Sequence, residues 1–438
     1  MRDVMLHAFN WPYREIADNA RAISDAGYGA VLFPPPFYSD PEGTEWWQVY
    51  QPKDYRVLRS NLGRKTDLVQ AMAALKAAGV HSYVDVVFNH MANESRPDKF
   101  HFPGAAELAK YATERAEFEK DLLYGNLDSN LFTERDFHPA RDIVDWSDSE
   151  EIVNRSLSGL PDLVLSIAVV REQIQCLKAL AELGFEGFRI DAVKHLPTDH
   201  ILAVFRSEPV RGKFLFGETL TFDEIQNREF LWPIVNETGM PCYDFPLQQA
   251  MLRAFSPQGS MRVLSNPVAT GNALPPFQSV TFTVTHDVPN NDGFRGMLLS
   301  PHDEYLANAY VLGRDGGVPL VYSDHAESAV KYPEDRKRWE HCWKRYDIVQ
   351  MVKFHNAVHG MSQRTLWEDD GFLVFSRGDR GIVAINKTRD WVTMEVTAAD
   401  LMQGRYRCQL HQHDLYVRGD RLPLAIPPHQ AQMWLWEE

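Results

Sequence analysis

The chain has 438 residues, of which 44% are apolar and 24% charged, and its formal net charge is -15. That length accommodates one large domain with a smaller companion, or two to three domains, and the composition is that of an ordinary globular protein. The acidic balance weighs against nucleic acid and anionic membrane as partners, and says nothing about a neutral polymer.

The first third alternates short apolar runs with amphipathic ones. Residues 3–9 read as a strand, and 16–26 as a helix stopped by Gly27. Residues 29–33 form a second buried strand halted by Pro34, Pro35 and Pro36, and an alanine- and leucine-rich helix over 68–78 leads into a third strand at 81–88. Between about 91 and 160 the rhythm breaks into a charged, turn-rich stretch with one helix near 105–123. It resumes with a helix at 170–183 and strands at 187–191, 213–216, 280–285 and 317–322, the last preceded by a helix at 304–312. From about 358 alternating strands take over, at 372–375, 382–385 and 391–396.

Strand, helix, strand in repetition implies a parallel sheet, and this many units favours a closed ring. The expected architecture is α/β: a (β/α)8 barrel over 1–90 and 161–357, a loop domain at 91–160 inserted after strand 3, and a C-terminal antiparallel β domain, a sandwich, over 358–438. No apolar run reaches the roughly eighteen residues that a membrane span requires. Cys176, Cys242, Cys342 and Cys408 are far apart without a CxxC pair, which argues against a zinc cluster and leaves one disulfide open. No signal peptide is visible, yet the first strand begins almost at residue 1. Secretion with a signal removed and a cytoplasmic location both stay open.

Polar residues gather at the C-terminal ends of the expected strands, where barrel active sites sit. Asp85, Asn89 and His90 close the third strand; Arg189, Asp191, Lys194 and His195 close another; Glu218 and the pair His286-Asp287 close two more. Singly, each reads as a cap or turn residue. Together, Asp191, Glu218 and Asp287 suit glycoside cleavage, in which one carboxylate attacks or stabilises an oxocarbenium-like centre and one carboxylic acid protonates the leaving oxygen. Arg189, two residues before Asp191 on the same strand face, is expected to keep Asp191 charged. Glu218, between two carboxylates, is expected to have its pKa raised.

The segments 85–90, 187–195, 217–218 and 282–287 resemble, in order, the four signature regions of the α-amylase family of glycoside hydrolases. Residues 46–52 resemble the segment carrying stacking aromatics in animal-type members, 160–163 the signature closing the inserted domain, and 317–322 that of the last strand. The resemblance implies Asp191 as nucleophile, Glu218 as general acid/base and Asp287 as transition-state stabiliser. It implies that Arg189 orients Asp191, that His90 and His286 hold sugar hydroxyls, that Tyr50 stacks under the sugar, that Lys194 serves the leaving-group side, and that His195 is a further substrate-binding residue. Trp46 and Trp47 would line the donor side, the alternative being core packing.

The resemblance also implies calcium, bound by Asn89, Asp162 and the main-chain carbonyl of His195; turn hydrogen bonding is the other reading of the two side chains. Thr285 stands where chloride-dependent relatives carry Asn, which puts chloride activation in doubt. Val164, His7 and the segment Ser323-Asp324-His325 also depart from the family pattern. Trp367, Trp391, Trp434 and Trp436 read as β-domain core or as a surface platform.

The expected activity is retaining cleavage of α-1,4 bonds in starch and maltooligosaccharides by a monomer. An α-glucan transglycosylase or non-starch α-glucosidase of the same family shares the carboxylates. A metal-dependent hydrolase lacks its His-x-His or HExxH motif here, and a non-catalytic glucan-binding subunit fits poorly with three retained carboxylates.

Overall fold

A computed structural model describes residues 2–93, 105–325 and 332–438. Eight parallel strands close into a ring: β1 (Met5–Phe9), β2 (Ala30–Phe33), β3 (His81–Val86), β4 (Gly187–Ile190), β5 (Phe214–Gly217), β6 (Cys242–Tyr243), β7 (Ser279–Thr281) and β8 (Val318–Asp324). The ring is sealed where β1 pairs β8, Met5 beside Leu320 through Phe9 beside Asp324. Strands covered on both faces read as continuous apolar runs rather than alternating ones, and every residue of β1, β2 and β4 is buried. The helix Tyr13–Ala26 buries Tyr13, Ile16, Ala20 and Ile23, spaced three to four apart, and stops at Gly27, whose φ of 105° only glycine adopts without strain.

The structure departs from the expected elements at three points. The strand β6 was not expected, because two residues carry no periodicity. The strand expected at 280–285 is only Ser279–Thr281, since its neighbour β6 is too short to extend the ladder. The helix expected near 105–123 is two, Ala105–Thr113 and Arg115–Lys120, broken at Glu114. That break sets the Tyr111 and Phe118 rings edge to face at 4.7 Å in a small separate core with Tyr38, Val57 and Leu127.

Between β3 and β4 the chain leaves the barrel and returns at its rim. His90 bridges to Asp162, and the Leu163 N–H donates to the Asn89 carbonyl at 2.9 Å. After the helix Tyr346–Ala357, eight antiparallel strands follow: β9 (Gln363–Glu368), β10 (Phe372–Arg377), β11 (Gly381–Asn386), β12 (Val392–Thr397), β13 (Gly404–Cys408), β14 (Leu415–Val417), β15 (Arg421–Ile426) and β16 (Gln430–Trp436). Six form one sheet in the order β9-β10-β11-β16-β13-β14, and β12 pairs β15 alone.

Two buried or half-buried cations dock this domain. Arg377 donates to the carbonyls of Gly313, Arg314, Val358 and Met361, and Lys387 to those of Ala254, Ser256 and Gly259. These carbonyls lie at or just past the C-terminal ends of three barrel helices, where a positive charge is favourable. Of the terminal tryptophans, Trp434 is fully buried and Trp436 packs against the same core. Trp391 and Trp367 are exposed, so core packing accounts for only part of the set. All four cysteines are buried and free, and among the described residues no helix is long and apolar enough to cross a membrane.

Candidate active site

The rim at the C-terminal ends of β3, β4, β5 and β7 gathers four carboxylates around one guanidinium. Asp85 and Arg189 are direct partners across β3 and β4, so both side chains point to the barrel axis. The ladder then continues past the named strands. The Asp191 N–H donates to the Val86 carbonyl, and the Glu218 N–H to the Ile190 carbonyl, both at 2.9 Å. These bonds fix the backbone under both acids. Directly after Asp191 the chain turns through Ala192 at φ 51°, a left-handed conformation costing roughly 1–2 kcal/mol in a non-glycine residue. Gly217 precedes Glu218 because a Cβ there would stand 2.9 Å from Val193 Cγ2 and 3.1 Å from Met240 Sδ.

Arg189 is wholly buried and ion-pairs three acids: Asp85, Asp191 Oδ1 at 3.0 Å and Glu218 Oε1 at 2.6 Å. The guanidinium also faces the rings of Tyr243 and Tyr50, at 5.6 and 5.9 Å, a stacking that lysine would not reproduce. Glu218 lies within hydrogen-bonding reach of both Asp191 and Asp287. Burial dominates the electrostatics. It pushes the Asp191 carboxyl up to about 7, with Arg189 opposing and Glu218 reinforcing the rise. Burial likewise holds Asp85 and Asp287 well above the ordinary carboxylate value. The expectation that Arg189 keeps Asp191 charged is therefore met only in direction: one cation shared among four buried acids does not offset desolvation.

An aromatic wall flanks this cluster. Tyr50 stacks on His286 at 4.9 Å with ring planes 7° apart, and Phe9 covers the other side of His286 at 4.8 Å. His286 Nε2 stands 3.4 Å from Asp287 Oδ2, and its Nδ1 is buried without a partner. Trp46 is half-buried, edge-on to Tyr50 and His286, whereas Trp47 is 41% exposed. The pair therefore splits between wall and solvent. His90 donates Nε2–H to the Tyr50 carbonyl at 3.0 Å, and its Nδ1 faces the Asn89 amide at 3.4 Å. Both ring nitrogens are engaged, so gripping a sugar hydroxyl requires one bond to exchange. Lys194 sits over the Phe230 ring at 4.4 Å and burial brings its amine down to about 8. His195 donates from Nδ1 to the Ile152 carbonyl at 3.0 Å, with Trp146 edge-on to its ring.

Two residues were missed from sequence. Tyr243, whose hydroxyl is buried without a partner, sits on the short β6. His138 pairs Asp162 Oδ2 through Nδ1 at 2.6 Å, and no local motif announces it.

The backbone bridge described above pairs His90 with Asp162 and the Asn89 carbonyl with the Leu163 N–H, and burial pushes the Asp162 carboxyl up to about 6 against the partial relief of His138. In chemistry, the Asp162 carboxylate, the Asn89 amide oxygen and the His195 main-chain carbonyl would make a hard-oxygen donor set of the kind that calcium takes.

The sequence matches the family description "Alpha amylase, catalytic domain" over residues 16–231. It is 45% identical over 395 residues to an alpha-amylase of Aeromonas hydrophila, covering 88% of this chain and 84% of that one. It is 28% identical over 467 residues to an alpha-amylase of Thermomonospora curvata, covering 98% and 73%. The crystal structure of an Eisenia fetida alpha-amylase I variant in complex with maltohexaose superposes with a TM-score of 0.81 at 20% identity, over 100% of this chain and 98% of that one. That likeness speaks for the fold.

Proposed function

The chain belongs to the α-amylase family and is a glycoside hydrolase acting on α-glucans, and from that premise we propose that it cleaves α-1,4 bonds in starch and maltooligosaccharides by a retaining double displacement. The observation that carries this reading is the placement of Glu218 within reach of both Asp191 and Asp287, with Arg189 bound to Asp191 and Glu218. Retaining enzymes hold the two reacting carboxyls roughly 5–5.5 Å apart, whereas inverting ones leave a wider gap, roughly 6.5–9.5 Å, for water. Acids from neighbouring strands β4 and β5 that touch the same guanidinium favour the short separation.

In this reading Asp191 attacks the anomeric carbon while Glu218 gives its proton to the departing oxygen. The C–O bond of the chain breaks as a glycosyl ester forms on Asp191. Glu218, now a carboxylate, takes a proton from water, whose oxygen attacks the same carbon and frees Asp191. Asp287 stabilises the positive charge that develops on the sugar. Arg189 orients Asp191; Tyr50 and Trp46 offer ring surface to the sugar, Trp47 extends the donor side, and His286 and His90 hold hydroxyls. Lys194 serves the leaving-group side, and His195 is a further substrate-binding residue. Calcium, when bound by Asn89, Asp162 and the His195 carbonyl, supplies a positive charge that ties the inserted segment to the rim. The maltohexaose bound by the Eisenia fetida enzyme agrees with an oligosaccharide groove.

Two experiments test this. Proton NMR in the first minutes of maltooligosaccharide hydrolysis is expected to show new α-anomeric ends that later mutarotate; an initial β excess removes Asp191 from the nucleophile role. Chromatography of products from soluble starch over time is expected to show shortening chains. Products longer than the starting oligosaccharide point instead to a transglycosylase.

A further inference from the structure

At the opposite end of the barrel from the carboxylate rim, Asp3, just ahead of β1, meets two histidines at the end of the helix Tyr346–Ala357. His355 Nε2 lies 2.9 Å and His359 Nδ1 3.4 Å from the same oxygen, Asp3 Oδ1. Among the described residues this is the one group of three or more such side chains whose ligand atoms all fall within 4.8 Å of one another.

The protons are informative. His355 Nδ1 lies 3.2 Å from the Leu312 carbonyl, which only accepts, so Nδ1 carries the hydrogen. A neutral ring then presents the lone pair of Nε2 to a carboxylate oxygen. Two electron-rich atoms at 2.9 Å need a positive charge between them, a proton or a metal ion. His359 aims a second nitrogen at the same oxygen from four residues further on.

We propose that Asp3, His355 and His359 bind a divalent ion of the zinc class through two imidazole nitrogens and one carboxylate oxygen. The donor set is that of zinc rather than of calcium, which prefers oxygen alone. Tetrahedral ligands on bonds of roughly 2.0–2.1 Å stand roughly 3.3 Å apart, so the His359 contact needs no change and the His355 contact a slight opening. The Leu312 carbonyl supplies the outer partner that fixes the tautomer of a metal-bound histidine. His355 is nearly fully buried while His359 is 31% exposed, leaving one side open to solvent for entry and a bound water. The ion fastens the start of the chain to the last barrel helix, beside the seam where β1 meets β8.

The test uses full-length protein stripped by chelator and returned to excess calcium, so that oxygen sites are filled. Titration with Zn²⁺ and Co²⁺ is expected to show one ion per chain, an intense visible Co²⁺ spectrum typical of tetrahedral coordination, and a higher melting temperature. His359→Ala, at the more exposed position, is expected to weaken binding roughly tenfold or more, while Asp162→Ala leaves it unchanged. Undiminished binding by His359→Ala, or no one-to-one binding by the wild type, overturns the proposal and leaves a proton-held ion pair. Asp3→Asn provides a second variant with the same expectation.

Discussion

Around Arg189, function and stability pull in opposite directions. Asp191→Asn and Glu218→Gln each conserve volume and remove a charge or a proton donor, and each is expected to cut turnover roughly a hundredfold or more with the fold intact. A folded variant keeping a tenth of wild-type activity would contradict the assignment. The raised Asp191 carboxyl, at about 7, sets the sign of two pH effects. Catalysis needs it ionised, so kcat/KM is expected to fall as pH drops through about 7. An inflection near 4 in the pH–rate profile assigns that limb to another group. Stability runs the other way. A carboxyl whose folded pKa lies above its unfolded value contributes stability that is complete below about 4 and lost as pH rises through 7. Asp191→Asn is therefore expected to melt above wild type at pH 8, with the gap closing toward pH 4. Much of this cluster was legible beforehand. Asp85, Arg189, Asp191 and Glu218 stand in or directly after strands that periodicity locates, whereas Asp287 opens a short helix six residues past β7; the four short segments order them all. Tyr243 and His138 were not legible, because contacts across the ring or from the inserted segment leave no local pattern.

At the level of elements, the barrel meets the C-terminal domain through a shared apolar core and through carbonyls that accept from Arg377 and Lys387, and it meets the inserted segment through a backbone bridge. The Asp162–His90 bridge and its buried carboxylate join the inserted segment to β3. Calcium there is expected to raise the melting temperature by mass action, chelator to lower it, and Asp162→Ala to blunt the difference. Identical melting with and without chelator, in protein shown free of metal, makes Asn89 and Asp162 turn residues only. On the other side Arg377 meets four carbonyls. Arg377→Met removes the side-chain donor from the Gly313, Arg314 and Met361 carbonyls, the Val358 carbonyl keeping the Met361 N–H at 3.0 Å, and about 1–3 kcal/mol per unpaired group is expected to appear as a lower urea midpoint; an unchanged midpoint shows that water replaces the guanidinium. The long strands and helices could be read from sequence because one face repeats at a fixed period. The element β6 could not, since its two residues are strand only by virtue of Gly217 and Ser279 on either side.

Across the whole molecule, the seam of the ring joins residues that are far apart in the chain. Met5 through Phe9, buried side chains throughout, hydrogen-bond to Leu320 through Asp324. This has a consequence for biosynthesis. On the ribosome β1 emerges ahead of its partner, which follows only after more than three hundred intervening residues have been made. At roughly 5–20 residues per second, β1 spends the whole of that interval with one edge unpaired, a state prone to pairing with other chains. Protease resistance of stalled nascent chains is expected to appear abruptly once the segment through the helix Tyr346–Ala357 has cleared the exit tunnel, and not stepwise with each β/α unit. The interval before that point is when a chaperone has the most to protect, and slowing translation over the second half of the message lengthens it.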